Sequence, residues 1–498
     1  MIQSISSMFP IEGKYSEDLL SIGEHAIKGQ NQVEQRAEVP YQSDFEPYVN
    51  KEISFNKQYN TLYEMRLKEM RSLLGDVVKQ KWGDDVEVLK EIRLLQPNTE
   101  CVIIGTTYKE LSLFKSILND KSSSAFNPQL IGTQFLPKSS LQATLSQEND
   151  PVVLEDSTTR VLLKGLQAPM VTGVVGAFRG MMNASGDFEV SDTCFLHDSV
   201  KPTACASSAS SPKAPRLCCV SGLGIGETIP LPCHLLFEFL AAQTGFVEDA
   251  KLSARIVRVV LVGNSVAMPR LPFQRIRQDS KEIARTLQCV ENLDLLLARL
   301  LPTTPLTVVP GASDPTPILV PQQPLHASLL QRSVAFSSLE RAPNPYAATV
   351  AGKRVLMTAG QNVQDVLRQI APAVSATEAM ALTLQWGTLA RGAELSVAGI
   401  PYDTTDPFIV RQLPDVYVVG NQAALEVERR VIGGKEVVLI ALPAFSATGE
   451  AALVNLETLE VEPIRFEVEG AEKKEMEVEE KEEEEVVIDE DIANEDAE

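Results

Sequence analysis

The sequence predicts a chain of class α/β + β, in which a small closed β-barrel with one helix in front of it precedes a larger α/β domain and an acidic tail. Three observations carry this. Residues 100–195 hold short β-type runs separated by Gly, Asn, Ser and Pro clusters. From residue 217 onward the apolar runs are uninterrupted and alternate with helical stretches. Between the two regions lies SVKPTACASSASSPKAPR at 199–216, which has almost nothing to bury. With 498 residues, 44% of them hydrophobic, the chain has room for more than one core.

The elements follow in chain order. Residues 1–50 are polar and weakly patterned and read as a poorly ordered N-terminus. Within 51–85, Tyr59, Leu62, Tyr63, Leu67, Met70, Leu74 and Val77 recur at helical spacing, so one amphipathic helix is expected, ended by Trp82-Gly83 and the acidic pair after them. Its apolar stripe reads first as core packing and second as a docking surface. In 86–198 the runs CVIIGT, TRVLLKG, MVTGVVGAF and DFEVSDTCF suggest a five-stranded barrel of the OB type. In 217–466, LCCV, RIVRVVLVG, LTVVP, KRVLMT, VYVVG and EVVLIALP are the grammar of sheets buried on both faces, with HLLFEFLAAQTG and SKEIARTLQCVENLDLLLARLL as helices between them. Residues 467–498 are an acidic tail, disordered by composition.

Composition excludes several functions. Formal charge is −22, but residues 471–498 carry −12 of it, leaving −10 for the other 470 residues. Neither part has the basic field that holds nucleic acid or an anionic membrane. The tail reads as a solubilising or loosely interacting segment, with mimicry of nucleic acid for a basic partner as the alternative. Only four histidines occur (His25, His197, His234, His326), which argues against any multi-histidine metal site. The seven cysteines form no C-x-x-C pair, so a disulfide framework or zinc finger is not indicated and a reducing compartment is expected. The start lacks a basic segment leading into an apolar run, and no stretch approaches the roughly 20 apolar residues of a membrane span, so an intracellular soluble protein is expected.

In an α/β domain, ligands gather beyond the carboxyl ends of the strands. Here those ends read Ser221-Gly222-Leu223-Gly224-Ile225-Gly226, Gly263-Asn264-Ser265, Pro310-Gly311-Ala312-Ser313-Asp314, Gly360-Gln361-Asn362 and Gly420-Asn421-Gln422-Ala423. The first could be taken for a nucleotide loop, but Glu227 stands at its third fingerprint position and no Gly-Lys-Ser/Thr follows, so a plain strand-to-helix turn is preferred.

The series resembles a calcineurin-like phosphoesterase, a two-metal α/β sandwich whose ligands stand at successive strand ends. Judged by that resemblance, the ligand positions hold Ser221, Leu223, Asn264, Ala312, Ser313, Asn421 and Ala423, and Asp314 alone keeps an acidic group. Glycine, alanine and leucine supply no donor within the 2.0–2.2 Å a catalytic metal requires. Asp314 reads first as a hydrogen-bond acceptor in its turn and second as a catalytic remnant. No resident cofactor or metal is expected.

FNKQYNTLYEMRLKEMRSLL, NTECVIIGT, VTGVVGAFRG, VSGLGIG, RIVRVVLVGNS, VVPGASDPTPILVPQQPLH, DTTDPFIV, LPDVYVVGNQ and LPAFSATGEAALVNL together resemble the B-subunits of eukaryotic replicative DNA polymerases, the delta branch most nearly, over roughly residues 41–465. The Ser/Ala/Pro stretch and the Glu-rich tail lie outside the pattern. The resemblance implies a non-catalytic scaffold in the nucleus that holds the C-terminal domain of the polymerase delta catalytic subunit and a third, clamp-tethering subunit. The sliding clamp is then reached only indirectly, since no clamp-binding box is found, and DNA weakly or only through the complex. Alternatives are a B-subunit of polymerase alpha or epsilon, or an active metallophosphoesterase. Three Pro-rich loops have the composition of a recognition edge, with Gln323, Pro324, His326, Asn344, Tyr346, Asp406 and Phe408 as candidate contacts; ordinary turn chemistry is the other reading. Single-strand binding by the barrel would need a basic groove with stacking aromatics, and those in the apolar strands read as core.

Overall fold

The computed structural model describes residues 35–50, 58–112, 144–198, 211, 213–267, 280–390, 399–400 and 405–467. The expectations for residues 1–34, for 51–57 at the front of the helix, for 199–210 and Pro212 in the Ser/Ala/Pro stretch, and for 468–498 in the acidic tail lie outside the described residues.

Residues 35–50 correct the expectation of a poorly ordered N-terminus. They form a strap whose short strand β1 (Tyr41–Ser43) pairs antiparallel with a strand more than 300 residues away. The Arg36 guanidinium donates to the carbonyls of Ser253 (2.9 Å), Ile256 (2.8 Å) and Leu240 (3.2 Å). Polar residues that look unstructured in sequence are fixed here by distant partners, which no local pattern reveals.

Helix α1 (Tyr59–Trp82) buries Leu62, Arg66, Leu67, Met70, Leu74 and Val78, an i, i+3/i+4 stripe. It lies on the outside of a closed barrel of order β2-β3-β4-β6-β5, made of β2 (Glu100–Lys109), β3 (Val152–Glu155), β4 (Arg160–Lys164), β5 (Val175–Met182) and β6 (Phe188–Cys194). Strand β2 alternates between two cores. Cys101 and Ile103 belong to the same core as Phe178 and Phe188, whereas Val102 and Ile104 pack with Met70, Leu74 and Val78 of α1. Burial on both faces is why CVII is continuously apolar. Each fully buried aliphatic side chain of that seam stabilises by roughly 1.5–3 kcal/mol, so the stripe is core rather than a docking surface.

The rest is a two-sheet sandwich with helices outside. It contains β7 (Arg216–Val220), α2 (Leu231–Leu240), α3 (Val247–Arg255), β8 (Ile256–Val262), α4 (Ser280–Leu300), β9 (Leu306–Val309), β10 (Leu339–Arg341), β11 (Tyr346–Val350), β12 (Lys353–Thr358), α5 (Gln361–Gln369) and α6 (Ala376–Trp386). After these come β13 (Val416–Gln422), β14 (Glu426–Ile432), β15 (Lys435–Pro443), α7 (Phe445–Thr448), β16 (Glu450–Asn455) and β17 (Val461–Arg465). One sheet has the order β1-β11-β12-β13-β15-β14, the other β10-β9-β8-β7-β16-β17. The central strands β12-β13-β15 and β7-β8-β9 are parallel. The sheets meet through Leu217, Cys219, Val260, Val262, Tyr346, Val355, Met357, Val416, Val418 and Ile440. Outside, α2 and α4 cover one sheet through Leu236, Leu240, Leu293 and Leu297. Helix α6, capped by the Ser375 side chain on Glu378 N and closed by the left-handed Gly387, sits in the core that joins the other sheet to the barrel.

Candidate functional site

The carboxyl ends of the parallel strands converge, and the loops after them bond to one another. The Ser221 hydroxyl donates to Val262 O (2.8 Å) and accepts from Asn421 N (2.9 Å). Asn421 Nδ2 donates to Ala359 O (2.9 Å), and Asn264 Oδ1 accepts from Ser313 N (3.0 Å). Gly222 N donates to Gly263 O and Gly224 N to Asn264 O. The chains approach too closely for side chains between them. A Cβ on Gly360, whose φ is +104°, would stand 2.1 Å from Gly420 O, and one on Gly263, at φ +80°, 2.4 Å from Ala359 Cβ. Asn264 and Asn421 also adopt left-handed backbone, which asparagine tolerates better than most residues.

Of the eight strand-end residues singled out in the sequence, Ser221, Leu223, Asn264, Ser313, Asp314 and Asn421 stand in this cluster, Leu223 fully buried. Ala312 is half-buried in the turn between Gly311 and Asp314, and Ala423 is exposed beyond β13. These residues do not fit a pair of metal ions. Both Asp314 oxygens face the protein, Oδ1 accepting from Val266 N (2.9 Å) and Oδ2 from Gly311 N (2.7 Å). The Ser221 and Asn264 oxygens bond to backbone, and among the described residues no three of His, Cys, Asp and Glu come together in a group that could hold a metal.

Burial raises the Asp314 carboxyl to about 6, against backbone N–H groups of Gly311 and Val266 that favour its ionised form. An unfolded aspartyl group titrates near 4, so the folded chain holds this proton more tightly. The group's stabilising contribution is therefore fully present below about pH 4 and is lost as pH rises through about 6, a change of about 3 kcal/mol. Urea unfolding of wild type and Asp314→Asn at pH 4 and pH 7.5 checks this. Wild type should lose about 2 kcal/mol relative to the variant between those two values, because at pH 4 the unfolded group is already partly ionised; a pH-independent difference would contradict the assignment.

An amide network runs behind the site. Gln322 Nε2 donates to Gly311 O and Thr316 Oγ1 (both 2.7 Å), Asn344 Nδ2 to Gln361 Oε1 (3.1 Å), and Gln364 Nε2 to Asn421 O (2.8 Å). The recurrence of Gln and Asn directly after the strands, as in GQN and GNQ, was the available signal for it.

The recognition-edge candidates need correction. Asn344, Tyr346, Asp406 and Phe408 are buried and cannot present their side chains to a partner. Tyr346 packs between the sheets, Phe408 belongs to the core joining barrel and sandwich, and Asp406 pairs with Arg66 of α1. Gln323 holds the strap, accepting from Asn50 N (3.0 Å) and donating to Tyr48 O (3.1 Å). Pro324 is half-buried, and His326 is exposed with Nδ1 2.7 Å from Ser328 Oγ. Prolines and acids in these loops are mostly turn chemistry. In the barrel, Phe178, Phe188 and Phe195 point into the core, while Tyr108 is exposed. Phe114, Phe126 and Phe135 lie outside the described residues.

Comparison with known proteins gives two family matches, the DNA polymerase alpha/epsilon B-subunit family over residues 217–427 and the DNA polymerase delta subunit OB-fold domain over residues 58–193. The DNA polymerase delta small subunit of Oryza sativa subsp. japonica is 32% identical, covering 82% of this chain and 93% of its own. DNA polymerase delta subunit 2 of Drosophila melanogaster is 32% identical over 87% of this chain and 99% of its own. The Saccharomyces cerevisiae DNA polymerase delta small subunit is 28% identical over 84% and 91%. Among solved structures, an archaeal phosphodiesterase spans 50% of this chain and 98% of its own at 8% identity, with a TM-score of 0.26.

Proposed function

Because this chain belongs to the family of DNA polymerase delta small subunits, we propose that it is the non-catalytic scaffold of a nuclear polymerase delta, bridging the C-terminal domain of the catalytic subunit to a third, clamp-tethering subunit in replication and repair synthesis. The supporting observation is the strand-end site. The two-sheet frame is intact, yet the positions that would hold metals in a phosphoesterase carry Ser221, Leu223, Asn264, Ala312, Ser313, Asn421 and Ala423, and the side-chain oxygens of Ser221 and Asn264 are engaged by backbone. A frame without donors for a dinuclear centre can bind and position other proteins but cannot activate water for phosphodiester cleavage. It reaches the clamp and DNA through its partners.

The test is twofold. Co-expressed with a polymerase delta catalytic subunit, the full chain should co-elute with it, and deletion of that subunit's C-terminal domain should abolish co-elution. With added manganese, the purified chain should hydrolyse bis-p-nitrophenyl phosphate no faster than buffer. Metal-dependent turnover, or failure to co-elute with the intact catalytic subunit, would overturn the reading.

A further inference from the structure

The two sheets of the sandwich end in four edge strands among the described residues, and three of these are blunted. Strands β1 and β10 are three residues long, and β17 carries Pro463, which has no N–H to offer a neighbour. Strand β14 is different. It runs for seven residues, EVERRVI, without proline, glycine or a register shift, paired with β15 on one side and with no strand on the other among the described residues. Its two-residue turn, Gly433-Gly434 at φ +56° and +78°, makes Ile432 and Lys435 a hydrogen-bonded pair. By alternation Arg430, Glu428 and Glu426 also bond to β15, so the N–H and C=O groups of Val427, Arg429 and Val431 point away from the sheet.

We propose that this edge docks an extended segment of another polypeptide, which adds antiparallel to β14 and carries an acidic residue with a β-branched residue two positions to either side. The proposal rests on the scaffold reading and names one of its attachment points. Outward N–H and C=O groups at alternate residues are the pattern an added strand satisfies. On one face of β14, Val427 and Val431 are 47% and 49% exposed, with Arg429 between them. On the other face, Glu426 accepts from Thr377 N (3.2 Å) and Arg430 pairs with Glu378 (2.5 Å), both residues of α6. β-Branched residues directly opposite the two valines would cover them, and an acid opposite Arg429 would meet its charge. Arg429 donates to Thr458 O (2.9 Å) and lies 3.8 Å from Glu436 Oε2, yet its side chain remains 40% exposed. Charge argues against a second copy as the occupant. Two-fold pairing centred on Glu428, Arg429 or Arg430 sets that residue against itself, and centred on Val427 it sets Glu426 against Glu428, so like charges stand opposite each other in every case. Centred on Val431, it pairs only residues 430–432 of the strand.

Residue-resolved hydrogen exchange of the full chain, alone and co-purified with polymerase delta catalytic and third subunits, tests this. Alone, the Val427, Arg429 and Val431 amides should exchange about tenfold or more faster than those of Glu428 and Arg430, at any protein concentration. In the complex the same three amides should slow by about tenfold or more. Arg429→Pro lacks only an N–H that points away from β15, so the free chain should keep its urea midpoint while the slowing at Val427 and Val431 is lost. Arg429→Glu keeps the N–H and reverses the charge, and should weaken the slowing by about threefold or more. A complex in which the three amides exchange as in the free chain would overturn the docking site and leave the scaffold reading standing. Failure of the subunits to co-elute would overturn the scaffold reading and the proposal with it. Slowing that develops in the free chain as its concentration rises would assign the edge to a second copy instead, and slowing in the complex that Arg429→Glu leaves unchanged would overturn the acidic partner.

Discussion

Replacing Asp406 by alanine should destabilise the joined barrel and sandwich by about 3–5 kcal/mol, the penalty for removing one partner of a buried ion pair. Asp406 is fully buried and Arg66 is 1% exposed. Asp406 Oδ2 accepts from Arg66 Nε at 2.5 Å, while Oδ1 accepts from Phe408 N at 2.9 Å. The pair joins α1, which lies on the barrel, to a loop whose Phe408 belongs to the core shared with the sandwich. Arg66→Ala should show a loss of similar size, because each single change leaves an opposite charge buried without the group that balances it. A double replacement, Arg66→Met with Asp406→Leu, should recover most of the loss, since a buried pair contributes little over apolar groups of similar volume. Urea midpoints for the two alanine variants and the double apolar replacement provide the check. Salt should barely alter the effect, because a buried pair is weakly screened. A loss below about 1 kcal/mol for Asp406→Ala would place the pair in the class of exposed surface bridges.

That pair shows where sequence reading stops. The apolar members of α1 were legible because helical periodicity is a local property, and Leu62, Leu67, Met70 and Leu74 are buried as their spacing predicts. Arg66 sits in the same stripe, and its charge hides it, because a tertiary partner 340 residues away offsets its burial. Asp406 and Phe408 looked like recognition residues for the same reason. A Pro-rich loop has one composition whether it faces solvent or is folded inward, and the deciding partner lies elsewhere in the chain. The barrel is legible from four runs, whereas the VVLE of β3 is too short to stand out from its turns. At the strand ends the loop order was readable, since glycines and asparagines mark sharp turns locally. The closure of these loops on one another was not, because the approach of Gly360 to Gly420 and of Gly263 to Ala359 joins residues far apart in sequence.

The strap is the extreme case, and Arg36→Ala should destabilise the sandwich by about 2–4 kcal/mol, the sum of several charge-assisted hydrogen bonds and the desolvated carbonyls they leave behind. Nη1 reaches Ser253 O and Ile256 O, and Nη2 reaches Leu240 O, so one guanidinium closes the carboxyl ends of both α2 and α3. A cation there also opposes the negative end of each helix. Burial pulls the Arg36 pKa below the ordinary arginine value, so the site holds its charge against a desolvation penalty that the carbonyls offset. From Arg36 the chain crosses to the other sheet. Tyr41 OH bonds Glu340 of β10 and lies 3.1 Å from Tyr346 OH of β11, Arg258 of β8 stacks 3.6 Å from the Tyr41 ring centroid, and β1 pairs with β11. The strap thus ties one sheet to the other. Arg36→Lys should recover less than half of the loss, because one ammonium cannot reproduce the planar fork that reaches two helix ends. In hydrogen exchange, Arg36→Ala should accelerate the Ala37 amide, bonded to Ala254 O, and the β1 amides while leaving the barrel strands unchanged. Uniform acceleration across barrel and sandwich would mean that Arg36 supports the whole body rather than the strap.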